Sequence, residues 1–145
     1  MNEKEFDFFI SYHEEMKSEV LQLSSKFEHL FKHYKENIKL KSNDSIVKEN
    51  IAYSIKKSKF FVCCLTKKYI DTPGCIKELI YASNLHKPIF VLQINKIHLD
   101  DEDIVGLGSS RFKYIPCYEN QFNWAEMYYN SIKDEFEEYM QVIRK

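Results

Sequence analysis

The stretch from Lys59 to Thr66, Lys-Phe-Phe-Val-Cys-Cys-Leu-Thr, gives the strongest strand signal in the chain and decides its fold. Its middle is apolar at every position rather than at every second one, which is typical of a central parallel strand covered on both faces. Neighbouring side chains of a strand point to opposite faces, so Cys63 and Cys64 should lie on different sides of the sheet. The stretch therefore predicts a sheet with helices on both faces.

Strands and helices alternate on either side of this stretch. Further strands are predicted at Phe6 to Tyr12, weakly at Ile38 to Leu40, at Ile89 to Ile94 and at Phe112 to Tyr118. Apolar residues in helical spacing predict helices from about Glu14 to Tyr34, around Val47, Ile51 and Ile55, from Pro73 to about His86, and along Trp124, Tyr128, Ile132, Phe136, Met140 and Ile143. Thr72 is predicted to cap the helix that starts at Pro73.

This order of elements predicts a single α/β domain over residues 1–145. We expect a flavodoxin-like, doubly wound, five-stranded parallel sheet with helices on both faces. Pro116 cannot donate a ladder hydrogen bond, so the last strand should lie at an edge. The first and third strands are neighbours in such a sheet, and ligands bind beyond their carboxyl ends. Those ends are Tyr12-His13-Glu14 and Leu65-Thr66-Lys67.

Composition narrows the class of protein. Of the 145 residues, 44% are hydrophobic, which excludes intrinsic disorder of the whole chain. The formal net charge of -1 lacks the basic excess of a nucleic-acid-binding protein. No apolar run approaches the roughly 18–20 residues of a membrane span, and Met1 to Glu5 does not resemble a signal peptide. The sequence thus predicts a soluble cytoplasmic protein with no nucleic-acid partner and no membrane partner.

The cysteine and histidine residues do not have the spacing of a metal site. The four cysteines come without a secretory signal, so we expect reduced thiols. His29 and His33 have the i,i+4 spacing of two zinc ligands, but neither a C-x-x-C nor an H-E-x-x-H pattern accompanies them. We therefore predict no metal site and no bound cofactor.

The chain lacks the residues that two other functions of this architecture require, namely dinucleotide binding and phosphate acceptance. A dinucleotide site needs a G-x-G-x-x-G turn after the first strand, but the glycines stand at 74, 106 and 108. A phosphate-accepting receiver domain needs carboxylates at the ends of the first and third strands to hold a magnesium ion. Asp7 lies too early on the first strand, the third strand ends without a carboxylate, and only Glu14 and Glu15 give support. Both classes are rejected.

Three segments follow one another in an informative order. They are Phe-Asp-Phe-Phe-Ile-Ser-Tyr at 6–12, the helix and strand from Ser45 to Val62, and Thr-Lys-Lys-Tyr at 66–69 followed by Cys-Ile-Lys-Glu-Leu at 75–79. Together they resemble the ordered motifs of the TIR (Toll/interleukin-1 receptor-like) domain family. The resemblance covers roughly Phe6 to Asn95, and the Trp124 helix fits the last helix of the family.

The resemblance implies one of two functions. Some TIR domains cleave the nicotinamide-ribose bond of NAD+, by hydrolysis or cyclisation, in immune or cell-death signalling. Others are non-catalytic scaffolds that act through association with other TIR domains. We favour an NAD+ glycohydrolase or ADP-ribosyl cyclase that is activated by self-association, with NAD+ as substrate rather than cofactor. The scaffold is the alternative.

Glu78 matches the glutamate of the enzymatic members and is the predicted catalytic residue. A carboxylate near the ribose would stabilise the positive charge that develops as nicotinamide leaves. Tyr12, His13, Thr66 and Cys75 are predicted to bind the substrate around it. From the residues alone, a simpler interpretation of Glu78 is a solvated carboxylate near a helix N-terminus. A cleft beside Glu78 with room for a ribose would favour the enzyme, and a Glu78 buried or solvated outside any pocket would favour the scaffold.

The chain departs from the family pattern in two places. Gly74 stands where the family has a tryptophan, so an aromatic wall is missing. Lys41 to Asp44 replaces a longer loop that carries Pro-Gly in the family. That loop is the usual docking surface, so its shortness weakens the adaptor interpretation.

Overall fold

A parallel sheet runs through the part of the chain that the structure, a computed structural model, describes: residues 6–27, 49–107 and 111–143. Its strands are β1 (Phe6–Ser11), β2 (Ser58–Leu65), β3 (Ile89–Gln93) and β4 (Phe112–Pro116), and their spatial order is β1-β2-β3-β4. All three pairings are parallel. The predicted α/β class and the parallel sheet are confirmed.

The pairing of the strands agrees with the predicted neighbours where the structure describes them. β1 pairs with β2, with Ser11 opposite Cys63, so the first and third predicted strands are adjacent as expected. Among the described strands β4 pairs with β3 alone, which fits the edge position predicted from Pro116. The predicted strand at Ile38–Leu40 lies outside the described residues, so the described sheet has four strands and the fifth stays a prediction.

The helices connect the strands on both sides of the sheet. They are α1 (Lys17–Phe27), α2 (Glu49–Lys57), α3 (Lys67–Ile70), α4 (Pro73–Asn84), α5 (Trp124–Met127) and α6 (Tyr129–Ile143). Short 3-10 segments cover Glu14–Met16, Leu99–Asp101 and Tyr118–Asn123. Within the described ranges, no helix combines the length and apolar character that crossing a membrane requires.

Two helix predictions need correction. The single last helix is interrupted at Tyr128, whose φ of -107° and ψ of 10° leave the helical region, although the stripe of Trp124, Ile132, Phe136 and Met140 is buried as expected. The side chain of Thr72 does not cap α4, because its hydroxyl donates to the Lys68 carbonyl oxygen at 2.6 Å instead. The backbone carbonyl of Thr72 accepts the first helical bonds, and Pro73 holds the first position as predicted.

β2 separates two apolar layers. The face that carries Cys64 packs against α1, α5 and α6, and the face that carries Cys63 packs against α2, α3 and α4. The two adjacent cysteines thus point to opposite sides, as the strand pattern predicts. Both faces are covered by helices, and the polar groups at the carboxyl ends of the strands lie between these layers.

The ring of Phe136 joins helix α6 to three strands. Its centroid lies 5.0 Å from that of Phe8, 5.2 Å from that of Phe60 and 5.1 Å from that of Phe90. The side chain is fully buried, so truncation to alanine would leave a cavity that this close-packed layer fills only in part. Phe136 therefore holds a large share of the packing between α6 and the sheet.

We expect Phe136→Ala to lower the free energy of unfolding by about 3–5 kcal/mol, the range for deleting a buried phenylalanine. The measurement is urea unfolding at equilibrium. The matched control is Phe122→Ala, because the Phe122 side chain is 95% exposed and its loss should change the free energy by less than about 0.5 kcal/mol. Equal effects of the two substitutions would contradict the assigned packing.

Candidate functional site

Glu78 lies on the buried face of α4. Cys75, Glu78, Leu79 and Ala82 recur at the i, i+3, i+4 and i+7 spacing of a core-facing stripe, and all four are buried. The Glu78 residue is only 2% exposed. The interpretation of Glu78 as a solvated carboxylate is therefore wrong, because its helical position turns it toward the sheet.

Two hydroxyl groups connect Glu78 to the neighbouring elements. The Ser11 hydroxyl donates to Glu78 Oε1 at 2.7 Å, and the Tyr69 hydroxyl lies 2.6 Å from Ser11 Oγ. A serine hydroxyl has one hydrogen, so a Ser11 that donates to Glu78 must accept from Tyr69. We call the chain Tyr69–Ser11–Glu78 the hydroxyl relay. It joins α3, β1 and α4.

Tyr69 in the relay and Tyr12 next to it both have raised pKa values. Burial raises the pKa of Tyr69 well above its usual value, and the nearby Cys63, Cys75 and Glu78 raise it further. Burial, followed by the proximity of Cys64, Glu78 and Glu14, raises the pKa of Tyr12 to about 12. Both phenols are thus neutral at physiological pH, and Tyr69 has the proton that its place in the relay requires.

Tyr12 and Cys75 lie next to the relay. The Cys75 thiol donates to the Tyr12 carbonyl oxygen at 3.7 Å, and each residue is 1% exposed. Thr66 caps α3, since its hydroxyl accepts from the Tyr69 backbone N–H at 3.0 Å. Two of the predicted substrate-binding residues, Tyr12 and Cys75, are therefore gathered beside the relay, whereas Thr66 positions the helix that carries Tyr69.

His13 has a local contact of a different kind. Its Nδ1 accepts from the Glu15 backbone N–H at 3.1 Å, which caps the short 3-10 segment after β1. The residue is half-buried and lies on the same rim as Tyr12. The structure thus gives His13 a capping contact, and a contact with substrate stays a prediction.

The sequence reasoning did not select Ser11 or Tyr69. Both stand inside the quoted motifs, Ser11 in Phe-Asp-Phe-Phe-Ile-Ser-Tyr and Tyr69 in Thr-Lys-Lys-Tyr. Strand alternation would have helped, because Ser11 shares a side of β1 with Phe9, whose side chain packs against the layer that contains α4. A small hydroxyl at the end of an apolar strand was the available signal.

The loops beyond the strands are tied to one another. The Lys67 N–H donates to Asn95 Oδ1 at 2.8 Å, and Asn95 Nδ2 donates to Gln121 Oε1 at 2.8 Å. The Lys68 ammonium pairs with the Glu15 carboxylate at 2.8 Å, although such exposed pairs contribute little to stability. These contacts fix the rim that surrounds the relay, from the end of β1 to the segment after β4.

The chemistry available at this rim is that of one carboxylate among neutral hydroxyl and thiol groups. Such a carboxylate accepts hydrogen bonds from sugar hydroxyls or stabilises a nearby positive charge. Within residues 6–27, 49–107 and 111–143, no three histidine, cysteine or acidic side chains cluster in a way that could hold a metal ion. The described groups suit a cationic or polyhydroxylated ligand.

We expect Ser11→Ala to destabilise the fold by about 1.5–3 kcal/mol. The Glu78 carboxylate would lose the hydrogen bond that Ser11 donates to it, and the Tyr69 hydroxyl would lose its acceptor. Ser58→Ala is the matched control, since Ser58 is also a buried strand serine but donates to the neutral Ser54 carbonyl at 2.7 Å. Its cost should be about 1 kcal/mol. Urea unfolding measures both, and a larger loss for Ser58→Ala would contradict the relay.

We also expect the free energy of unfolding to fall as pH rises from about 10 to about 12. The pKa of Tyr12 is about 12 in the folded protein, against 10.0 for a free tyrosine. The unfolded chain therefore loses this proton at a lower pH than the folded chain, and the deprotonation favours unfolding. Tyr12→Phe should remove about 2 kcal/mol of that fall. Tyr53→Phe, at a residue that is 45% exposed, should leave it in place. Urea unfolding at each pH measures the difference, and parallel curves for Tyr12→Phe and wild type would refute it.

Comparison with known proteins agrees with this architecture. A family model described as TIR domain matches residues 8–135, which is most of the chain and includes the relay, β2, β3, β4 and all of β1 except its first two residues. The comparison with curated proteins gives no match. Because the match covers well over half of the chain, this protein belongs to the TIR domain family.

Proposed function

We propose that this TIR domain cleaves the nicotinamide-ribose bond of NAD+, with Glu78 as the catalytic carboxylate. The observation that carries the proposal is the carboxylate that the hydroxyl relay holds at the carboxyl ends of β1 and β2. Burying a carboxylate has a large desolvation cost, which hydrogen bonds offset only in part. Ligands of open α/β sheets bind beyond the carboxyl ends of the strands, so a carboxylate fixed at this edge supports a role in the reaction.

The proposed reaction needs one carboxylate and no general acid. The C–N bond between ribose and nicotinamide breaks, and its electron pair moves to the nicotinamide nitrogen and cancels the positive charge there. The ribose becomes oxocarbenium-like, and Glu78 stabilises it and orients its hydroxyls. Attack by water releases ADP-ribose and a proton, whereas attack by a nitrogen of the same molecule's adenine gives a cyclic product.

The hydroxyl relay has a clear part in this scheme. Ser11 holds one oxygen of Glu78 in place, and Tyr69 holds Ser11. A carboxylate fixed in advance stabilises developing charge without reorganising during the reaction. Tyr12 and Cys75 flank the carboxylate and supply the walls of the proposed ribose site.

Glu78 is only 2% exposed, so NAD+ has to displace the side chains that cover it. We propose that a second copy of the chain promotes this opening. Phe122 is 95% exposed and Met127 is 56% exposed, and Phe122 directly follows Gln121, which bonds to the rim. We assign these two exposed apolar side chains to the surface that the second copy contacts. Activity per molecule should therefore rise with protein concentration.

The burial of Glu78 also favours a second candidate, a non-catalytic TIR scaffold. In that case the relay only joins β1, α3 and α4, and the exposed Phe122 belongs to a surface that binds other TIR domains. The family includes both NAD+-cleaving enzymes and adaptors. The two candidates differ in whether NAD+ is consumed.

The deciding experiment is a mass-spectrometric time course of NAD+ over a series of protein concentrations. We expect wild type to release nicotinamide and Glu78→Gln to lose roughly 100-fold or more in rate, the scale for removing a group that stabilises the transition state. Glu138→Gln is the control, because Glu138 is an exposed carboxylate of α6 that belongs neither to the relay nor to the surface with Phe122 and Met127. The companion product separates hydrolysis from cyclisation.

Two results would overturn the proposal. Absence of nicotinamide release by wild type at every concentration would assign the chain to the scaffold class. Equal rates for Glu78→Gln and wild type would show that another group performs the chemistry. Circular dichroism of Glu78→Gln is needed beside the assay, so that a lost rate is not mistaken for lost folding.

A further inference from the structure

A cavity of about 970 Å³ lies at the end of the sheet opposite Glu78. Its wall includes Ile89 and Phe112, which are the first residues of β3 and β4 and stand opposite each other in the register. Glu78 instead bonds to Ser11, the last residue of β1. The strands are parallel, so the two places are at opposite ends of the sheet and the cavity is separate from the relay.

The floor of the cavity is apolar and partly aromatic. Phe90 and Leu107 are buried in it, and Phe112 and Tyr139 are half-buried at its side. Binding sites for small molecules typically measure about 300–1,000 Å³ and combine an apolar lining with a few polar groups. The volume and the lining therefore suit a flat, apolar or aromatic ring system together with a polar extension.

Three of the polar residues around the cavity are cationic. Lys87, Arg111 and Lys113 belong to its lining beside Ser83, Asn84 and His86, and no acidic residue is among the described residues that form it. Lys87 donates to the Lys56 and Ser58 carbonyls at 2.7 Å each, so two of its three N–H donors are occupied by the backbone. Lys113 pairs with Glu135 at 3.3 Å across an exposed surface, and Arg111 is exposed. An anion would therefore meet Arg111 and Lys113 first.

The walls of the cavity are held by specific contacts. The Ser83 hydroxyl at the end of α4 donates to the Leu107 carbonyl at 3.0 Å, which ties Leu107 to this helix. Gly106 has a φ of 106°, and a Cβ there would approach Ile80 Cγ2 at 3.0 Å, so glycine permits both the conformation and the close approach. These contacts indicate a cavity that is formed before any ligand arrives.

We propose that this cavity binds a nucleoside phosphate, with the base against Phe112 and Tyr139 and the phosphate at Arg111 and Lys113. Any nucleic-acid base can stack on an aromatic side chain, because every base has a π-face. The guanidinium group of arginine forms paired hydrogen bonds to phosphate oxygens. An uncharged lipid would make no use of the charges of Arg111 and Lys113, and an inorganic anion would leave the aromatic floor empty. The proposal does not depend on NAD+ cleavage at Glu78.

The test is isothermal titration calorimetry of the whole chain with ADP. We expect one saturable site, with adenosine and inorganic pyrophosphate each at least about tenfold weaker because each lacks half of the recognised groups. Arg111→Gln combined with Lys113→Gln should weaken ADP binding by about tenfold or more. Both side chains are exposed, so the fold should persist, and circular dichroism checks it.

The matched control is Lys17→Gln combined with Lys26→Gln, which removes the same charge from exposed positions of α1. This control and Glu78→Gln should each keep the ADP affinity within about twofold of wild type. The proposal is refuted by the absence of saturable ADP binding, by equal weakening in the α1 control, or by loss of binding in Glu78→Gln alone. The last result would place the nucleotide at the opposite end of the sheet.

Discussion

The burial of β2 on both faces is the constraint on which the rest of the structure depends. Apart from Lys59, every residue of the strand is buried, and water cannot satisfy its backbone groups. The strand therefore needs a partner on each edge, which β1 and β3 supply, and a layer of helices on each face. Because the pairings are parallel, the strand ends gather at one edge, and the Leu65 carbonyl accepts from Ile94 and Asn95 there.

That arrangement explains how a carboxylate comes to lie inside an apolar layer. The stripe of α4 that faces the sheet includes Glu78 together with Leu79 and Ala82, so packing the helix brings the carboxylate in with its neighbours. Ser11 meets it at the point where β1 ends. The desolvation cost of the charge is offset in part by the directed hydrogen bond from Ser11.

Helix α4 connects the two candidate sites. Its second turn carries Glu78, whereas its last turn carries Ser83 and reaches the cavity beside Phe112. At a rise of about 1.5 Å per residue, the five residues from Glu78 to Ser83 span roughly 7–8 Å along the axis. The first site offers a carboxylate among neutral hydroxyls and the second offers cations above an aromatic floor. The middle and the C-terminal end of one helix thus present opposite charge preferences.

The local periodicity of the sequence determined the α/β class, the two covered faces and the edge position of β4, because alternation, helical spacing and Pro116 act over a few residues. The same helical spacing contained the burial of Glu78, although the simpler interpretation from the residues alone was a solvated carboxylate, since charge is usually exposed. Only the tertiary structure decided the relay, in which Ser11 and Glu78 stand 67 residues apart, and the cavity, whose walls come from separate elements. Such contacts follow from packing in three dimensions, and no pattern confined to a short segment encodes them.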